Sequence, residues 1–270
     1  TRNMAALLLV FMLAVPALAE RPRPLGWAMD ALRAGNWETA AKLAARDGPV
    51  AADVIEWQRL RAGRGSYAET RAFLDRRPDW PGEAYLRRMS EDALLGESDA
   101  AVLSFFAEMA PQTPRGVLAH AVALTRADQE GEAHAGVVLA WRTMPMDPAE
   151  QALFLASFDT VLKPHHAARL DAMLWQREHA EARQMFDLVD KDEVALAETR
   201  IALQRREGDV NAMIKALPAK FATNPGLQHD RFEWRIRKGF IDSAKDLLIE
   251  TSVSSAALGQ LESWANRRRV

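Results

Sequence analysis

The sequence predicts an all-α protein, a superhelical solenoid of antiparallel helix-turn-helix units of the TPR-like kind. Three observations lead there. Strong helix formers (alanine, leucine, arginine and glutamate) recur along the whole chain, and runs of alternating β-branched residues are missing. A glycine-centred turn pattern keeps returning at intervals close to those of helical-hairpin repeats. Helix-start signals stand where that pattern needs them.

The turn pattern is a helix ending near glycine, then an acidic or aromatic residue, then alanines and leucines at helical spacing. It reads Leu32-Arg33-Ala34-Gly35-Asn36-Trp37-Glu38 and returns around Gly96, Gly131, Gly208 and Gly239. Gln176 to Ala182 is a variant without the glycine. Gly96 and Gly131 are 35 residues apart, and Gly208 and Gly239 are 31 apart, against roughly 34 for helix-turn-helix repeats. Glycine accepts the left-handed conformation that closes a helix, and the alanines after the turn let two helices approach closely. Each hairpin has an apolar face that it cannot bury alone, so neighbours stack. An irregular helical domain is the alternative.

Helix starts follow from local chemistry. Ser66 and Glu69 have capping-box spacing ahead of Phe73 and Leu74. Asp147-Pro148-Ala149-Glu150 joins an N-cap acid, a proline at the first helical position and a glutamate at the third, and Thr113-Pro114 reads likewise. Asp79-Trp80-Pro81-Gly82 and Asn224-Pro225-Gly226 mark turns, the second ahead of a helix over about Leu227 to Lys238. Leu258 to Val270 reads as continuing helix with no polar capping repeat, so the chain is expected to be the front part of something longer.

The first residues point to export. Thr1-Arg2-Asn3 is a short basic segment, Met4 to Val15 is an apolar run of 12, Pro16 breaks it, and Ala17-Leu18-Ala19 supplies the small-x-small cleavage pattern. A signal peptide over 1–19 is expected, with a scaffold domain over 20–270. A signal anchor is the alternative, but the run is shorter than the roughly 20 residues a bilayer requires. Net charge is -2, or -3 once Arg2 is removed, which argues against a globally basic nucleic-acid binder. With no cysteine the exported chain carries no disulfide framework, which a bacterial periplasm tolerates.

Signatures of catalysis are sparse. Of six histidines only His165-His166 cluster, and neighbours on a helix point about 100° apart, so no metal site is expected. Gly63-Arg64-Gly65 reads as a helix end followed by the Ser66 cap, not as a phosphate loop. The pairs Glu97-Ser98 and Glu262-Ser263 read as surface acids, because a general acid of the Glu-Ser type needs an apolar cleft. Among eight tryptophans, Trp37, Trp141, Trp175 and Trp234 fall in helical apolar patterns and read as packing. Trp57, near a helix end, and Trp80, in its turn, are the candidate substrate-binding residues. The stretch Arg231 to Lys238, with Arg267-Arg268-Arg269, reads as a solvated basic face.

Several segments resemble the N-terminal superhelical region of soluble lytic murein transglycosylases. They are Val54 to Gly63, the run Phe73-Leu74-Asp75-Arg76-Arg77-Pro78-Asp79-Trp80-Pro81-Gly82, Arg231 to Gly239, and Trp264 to Arg269. The Asp-Trp-Pro-Gly turn and the Trp-x-x-Arg-Lys-Gly run are the less generic parts. The resemblance implies the scaffold of a periplasmic enzyme. That enzyme cleaves the β-1,4 bond between N-acetylmuramic acid and N-acetylglucosamine without water, leaving 1,6-anhydro ends. Its catalytic glutamate lies in a C-terminal lysozyme-like domain, in a Glu-Ser motif with a Gly-Leu-Met-Gln-type sequel. Neither Glu-Ser pair here has that sequel, so no catalytic residue is carried over. The implied partners are peptidoglycan glycan strands and that catalytic domain, for a monomer without cofactor, metal or nucleic acid, and off the membrane after signal cleavage. A stand-alone periplasmic repeat adaptor binding a protein is the alternative.

Overall fold

The computed structural model describes residues 24–265, and every regular element among them is a helix. The expected signal peptide over 1–19 and the basic Arg267-Arg268-Arg269 lie outside the described residues. None of the described helices is long and apolar enough to cross a membrane. The described residues form two compact units that divide between Met89 and Ser90.

In the first unit α1 (Pro24–Arg33) packs on α2 (Trp37–Ala44), and α2 on α3 (Pro49–Arg61). Their shared core is Ala28, Ala40, Ala44 and Ala51, small side chains that let the helix axes come close, together with the larger Ile55. Then come α4 (Tyr67–Arg76) and α5 (Glu83–Ser90). The Ser66 hydroxyl accepts from the Glu69 N–H at 3.2 Å, while the Glu69 carboxylate accepts the Ser66 N–H at 2.8 Å, a complete capping box. Gly63 before it is left-handed at φ +67°, as a helix end requires. Buried Asp53 on α3 ties down the end of α4 by accepting from Arg76 at 3.0 Å and from Arg77 Nε at 2.6 Å.

The second unit contains α6 (Asp99–Phe106), α7 (Pro114–Arg126), α8 (Glu130–Thr143), α9 (Pro148–Leu162), α10 (His166–Gln176) and α11 (His179–Gln184). It continues with α12 (Lys191–Arg205), α13 (Val210–Ala216), α14 (Pro225–Lys238), α15 (Ile241–Thr251), α16 (Ser255–Leu258) and α17 (Leu261–Ala265). Helices pack in two ways. Sequence neighbours pair, as in α7 with α8 and α14 with α15. Alternate helices also touch in series, α8 with α10, α10 with α12, α12 with α14 and α14 with α16. Trp141, Val137, Phe154, Leu162, Met173 and Leu174 lie at the centre of the largest core, each such side chain contributing about 1.5–3 kcal/mol by burial.

The caps sit where the sequence places them, with Thr113, Asp147 and Asn224 each accepting a backbone N–H at the start of α7, α9 and α14. Ser98 caps α6, so Glu97-Ser98 belongs to a turn. Two expectations need correction. Leu258 to Val270 is not one helix, because Gly259 breaks it at φ +67° between α16 and α17. Gly131 does not close a helix but lies inside α8, and Asp128 at φ +59° takes the left-handed position instead. At the glycine-free variant turn that position falls to Arg177 at φ +65°.

Candidate functional site

The two tryptophans singled out by sequence lie in the first unit, and both are half-buried. Trp57 sits on α3 with Arg61 stacked 4.5 Å over its ring, and the same guanidinium lies 5.0 Å over Tyr85, which is exposed. Its Nε1 is buried and makes no hydrogen bond. Trp80 packs edge-on against buried Phe73 at 5.5 Å. The turn beyond it passes over Trp57, since a Cβ at Gly82 would meet Trp57 Cζ2 at 3.4 Å. Trp80 thus anchors the turn, whereas Trp57, Arg61 and Tyr85 form a small aromatic and cationic surface.

A second site lies in the second unit. Trp175 and Arg177 at the end of α10, Gln204 on α12, His229, Asp230 and Glu233 on α14, and Ser263 on α17 enclose a cavity of about 370 Å³. His229 and Glu233 are one helical turn apart and share a face of α14. The imidazole is held between Trp175 at 5.1 Å and Trp264 at 4.9 Å. Its Nε2 is 3.4 Å from the Ser263 carbonyl, and its Nδ1 is 3.8 Å from the Asp230 carboxylate. Trp264 is itself fixed by donating Nε1–H to the Leu258 carbonyl at 2.9 Å.

Asp230 is almost fully buried and accepts from Arg200 Nε at 2.7 Å and from Gln204 Nε2 at 2.9 Å. Burial pushes its carboxyl up, but the Arg200 cation and these hydrogen bonds outweigh burial and hold it below the usual range. Gln204 also donates to the Leu174 carbonyl at 2.9 Å, while its carbonyl oxygen meets His179 Nε2 at 2.6 Å. Glu233 accepts from Arg237 at 3.1 Å. Gln204, His229, Asp230 and Glu233 are therefore each held by a partner outside the cavity.

Further cavities line the series of alternate helices. One of about 520 Å³ lies along α8 and α10, with Leu139, Arg142, Ala168 and Asp171 among its walls. Another of about 190 Å³ runs from Asp171 to Glu193 and Arg200 on α12. An apolar groove of about 440 Å³ opens between α7 and α8, lined by Pro111, Leu124, Ala135 and Gly136, with Leu139 65% exposed. Burial pushes His120 in that groove below the ordinary histidine value. Leu139 and Asp171 are each shared by two of these cavities, so the openings are neighbours along the helix series.

No family model, curated protein or solved structure matches the chain. Nor, among the described residues, do three histidine, aspartate or glutamate side chains converge as a metal site would require. What the cavity offers is an indole wall, an imidazole, an amide and carboxylates in fixed positions. Sequence reading misses it because Arg231 to Lys238 looks like a solvated basic face and His229 like one of several scattered histidines. Instead Gln228, His229, Asp230, Phe232 and Glu233 are buried, and Arg231 is half-buried. The available signal is polar residues at helical spacing on the same helix as Leu227, Phe232 and Trp234.

Proposed function

We propose that the chain is the helical scaffold portion of a periplasmic lytic transglycosylase, a superhelical solenoid of TPR-like hairpins that embraces peptidoglycan glycan strands and supports a lysozyme-like catalytic domain. The observation that carries this reading is the contact of α8, α10, α12, α14 and α16 in series, with neighbouring cavities that share Asp171 beside them. Stacked hairpins present such an extended surface, suited to a polymer. The resemblance of Phe73 to Gly82 and of Arg231 to Gly239 to the scaffold of these enzymes supplies the identity of the polymer. Trp57 and Trp80 remain the first unit's candidate contacts to it, Trp57 through the surface that it shares with Arg61 and Tyr85.

The deciding experiment reads the gene beyond the codon for Val270. A frame continuing into a lysozyme-like domain with a Glu-Ser motif is the expected result, and a stop codon there overturns the enzyme assignment. Sedimentation of the purified chain with peptidoglycan sacculi then tests the embrace of glycan directly. A second reading, a periplasmic adaptor for a protein partner, draws on the apolar groove between α7 and α8 with its exposed Leu139. It is favoured by the stop codon combined with absence of sacculus binding.

A further inference from the structure

We infer that the cavity between α10, α12, α14 and α17 is a subsite for a neutral sugar ring, an amino sugar of the glycan on the scaffold reading above. That reading supplies the choice of sugar; the class of ligand follows from the cavity itself.

Charge comes first. The groups in and immediately behind the walls are Arg177, Arg200 and Arg237 against Asp171, Asp230 and Glu233, three cations to three carboxylates. Arg200 bridges Asp171 at 2.5 Å and Asp230 at 2.7 Å, and Arg237 bridges Glu233 at 3.1 Å. A balanced set offers no net attraction to an anion such as phosphate or to a free amine. It does offer strong, oriented hydrogen-bonding groups to a ligand that is polar and uncharged.

Shape and rigidity come next. A pyranose has an apolar C–H face and a rim of hydroxyls, and it needs one flat apolar wall and several polar groups at its edge. Trp175, with the Arg200 guanidinium 5.4 Å over its ring, supplies the apolar surface, and Glu233, His229, Ser263 and Arg177 supply the polar edge. The volume of about 370 Å³ lies at the small end of ligand sites. Polar side chains already immobilised by their own partners lose little freedom when a ligand arrives. His229 is wedged between two indoles, Gln204 holds three hydrogen bonds, and Glu233 is pinned by Arg237. Gly259 belongs to the same design, because a Cβ there would stand 3.1 Å from Trp175 Cζ2 and would crowd the indole.

The test titrates the whole chain with the N-acetylglucosamine trimer, read by calorimetry and tryptophan fluorescence, with inorganic phosphate and spermidine as charged controls. Saturable trimer binding that Glu233→Gln and Trp175→Leu each weaken at least tenfold is the expected result, with neither control competing. Glu233→Gln preserves shape, and a near-ultraviolet circular dichroism spectrum like that of the parent shows that the variant is folded. The inference is overturned if the trimer does not bind saturably, if Glu233→Gln binds as tightly as the parent, or if phosphate or spermidine displaces it. Sacculus sedimentation separates this from the broader reading. Sedimentation without trimer binding removes the subsite and leaves the scaffold, whereas trimer binding without sedimentation keeps the subsite and removes the scaffold.

Discussion

Gly226 lies directly against the Arg200 guanidinium: a Cβ at position 226 would stand 2.2 Å from Arg200 Cζ. No side chain larger than hydrogen fits unless the guanidinium moves, and it is fully buried between Asp171 and Asp230. The first turn of α14 and the middle of α12 are locked by this contact, and the cavity wall at Asp230 depends on it.

Gly226→Ala is therefore expected to destabilise the second unit although alanine is the better helix former by about 1 kcal/mol. Separating Arg200 from Asp230 leaves buried charge uncompensated, a cost of about 3–5 kcal/mol when a partner is removed outright. A net loss of about 2–4 kcal/mol is expected, since the guanidinium shifts rather than disappears. Urea unfolding followed by circular dichroism measures it; an unchanged or raised midpoint shows that the contact relaxes freely.

Glu69 gives the first unit an acid-sensitive clasp. The hydrogen bond from Arg59, then that from the Ser66 backbone, lowers its carboxyl from 4.5 to about 2. A carboxylate with a depressed folded value contributes stability above its unfolded value, and loses it as pH falls through the folded one. The side chain is nearly half exposed, so solvent screening keeps the contribution small. Glu69→Gln is expected to cost about 1 kcal/mol or less at pH 7. The difference from the parent should shrink from about pH 4.5 downward and vanish near pH 2. Unfolding at pH 7, 4 and 2 checks this, and a difference that persists at pH 2 assigns the effect to shape, not charge.

Helix starts were legible because capping is local: Ser66, Thr113, Asp147 and Asn224 each act within three residues of themselves. What escaped reading is what depends on distant chain. Gly259 breaks the C-terminal helix where Pro225 and Trp175 crowd it, with a Cβ coming within 2.9 Å of Pro225 Cβ. The cavity escaped for the same reason, since Arg200 and Gln204, 26–30 residues away, make burial of Asp230 affordable and no pattern around Asp230 announces them. Trp175 has the helical spacing of a packing residue and also lines a cavity, and periodicity alone does not separate the two.

Glu91 caps α7 from outside the helix. Its buried carboxylate accepts the N–H groups of Gln112 and Thr113, each at 2.8 Å, and the Thr113 hydroxyl at 2.6 Å. Gly116 leaves it room, since a Cβ there would stand 2.1 Å from the carboxylate. Glu91→Gln replaces one acceptor oxygen with a donor that faces donors, at a cost of about 2–3 kcal/mol. Gly116→Ala should cost at least as much by expelling the carboxylate. Equal stability of Glu91→Gln and parent in thermal unfolding refutes this account.

Arg169 sets two opposing effects against each other. It is fully buried, makes no salt bridge among the described residues, and stacks 4.6 Å over Trp141. Nη1 donates to the carbonyls of Trp141 at 2.7 Å and Met144 at 2.9 Å at the end of α8, whereas Nε and Nη2 make no hydrogen bond. Burial pushes the guanidinium down to about 10, so the fold holds this charge at a cost. Arg169→Met removes the charge and keeps the volume, but orphans two carbonyls, for an expected loss of about 1–3 kcal/mol. Arg169→Lys keeps a charge on a compact, strongly hydrated head without the planar fork, and is expected to lose more. The order parent, methionine, lysine in denaturant midpoints is the decisive outcome. If lysine outranks methionine, the helix end needs a charged donor there more than it resents a buried one, and Arg169 is held for its charge.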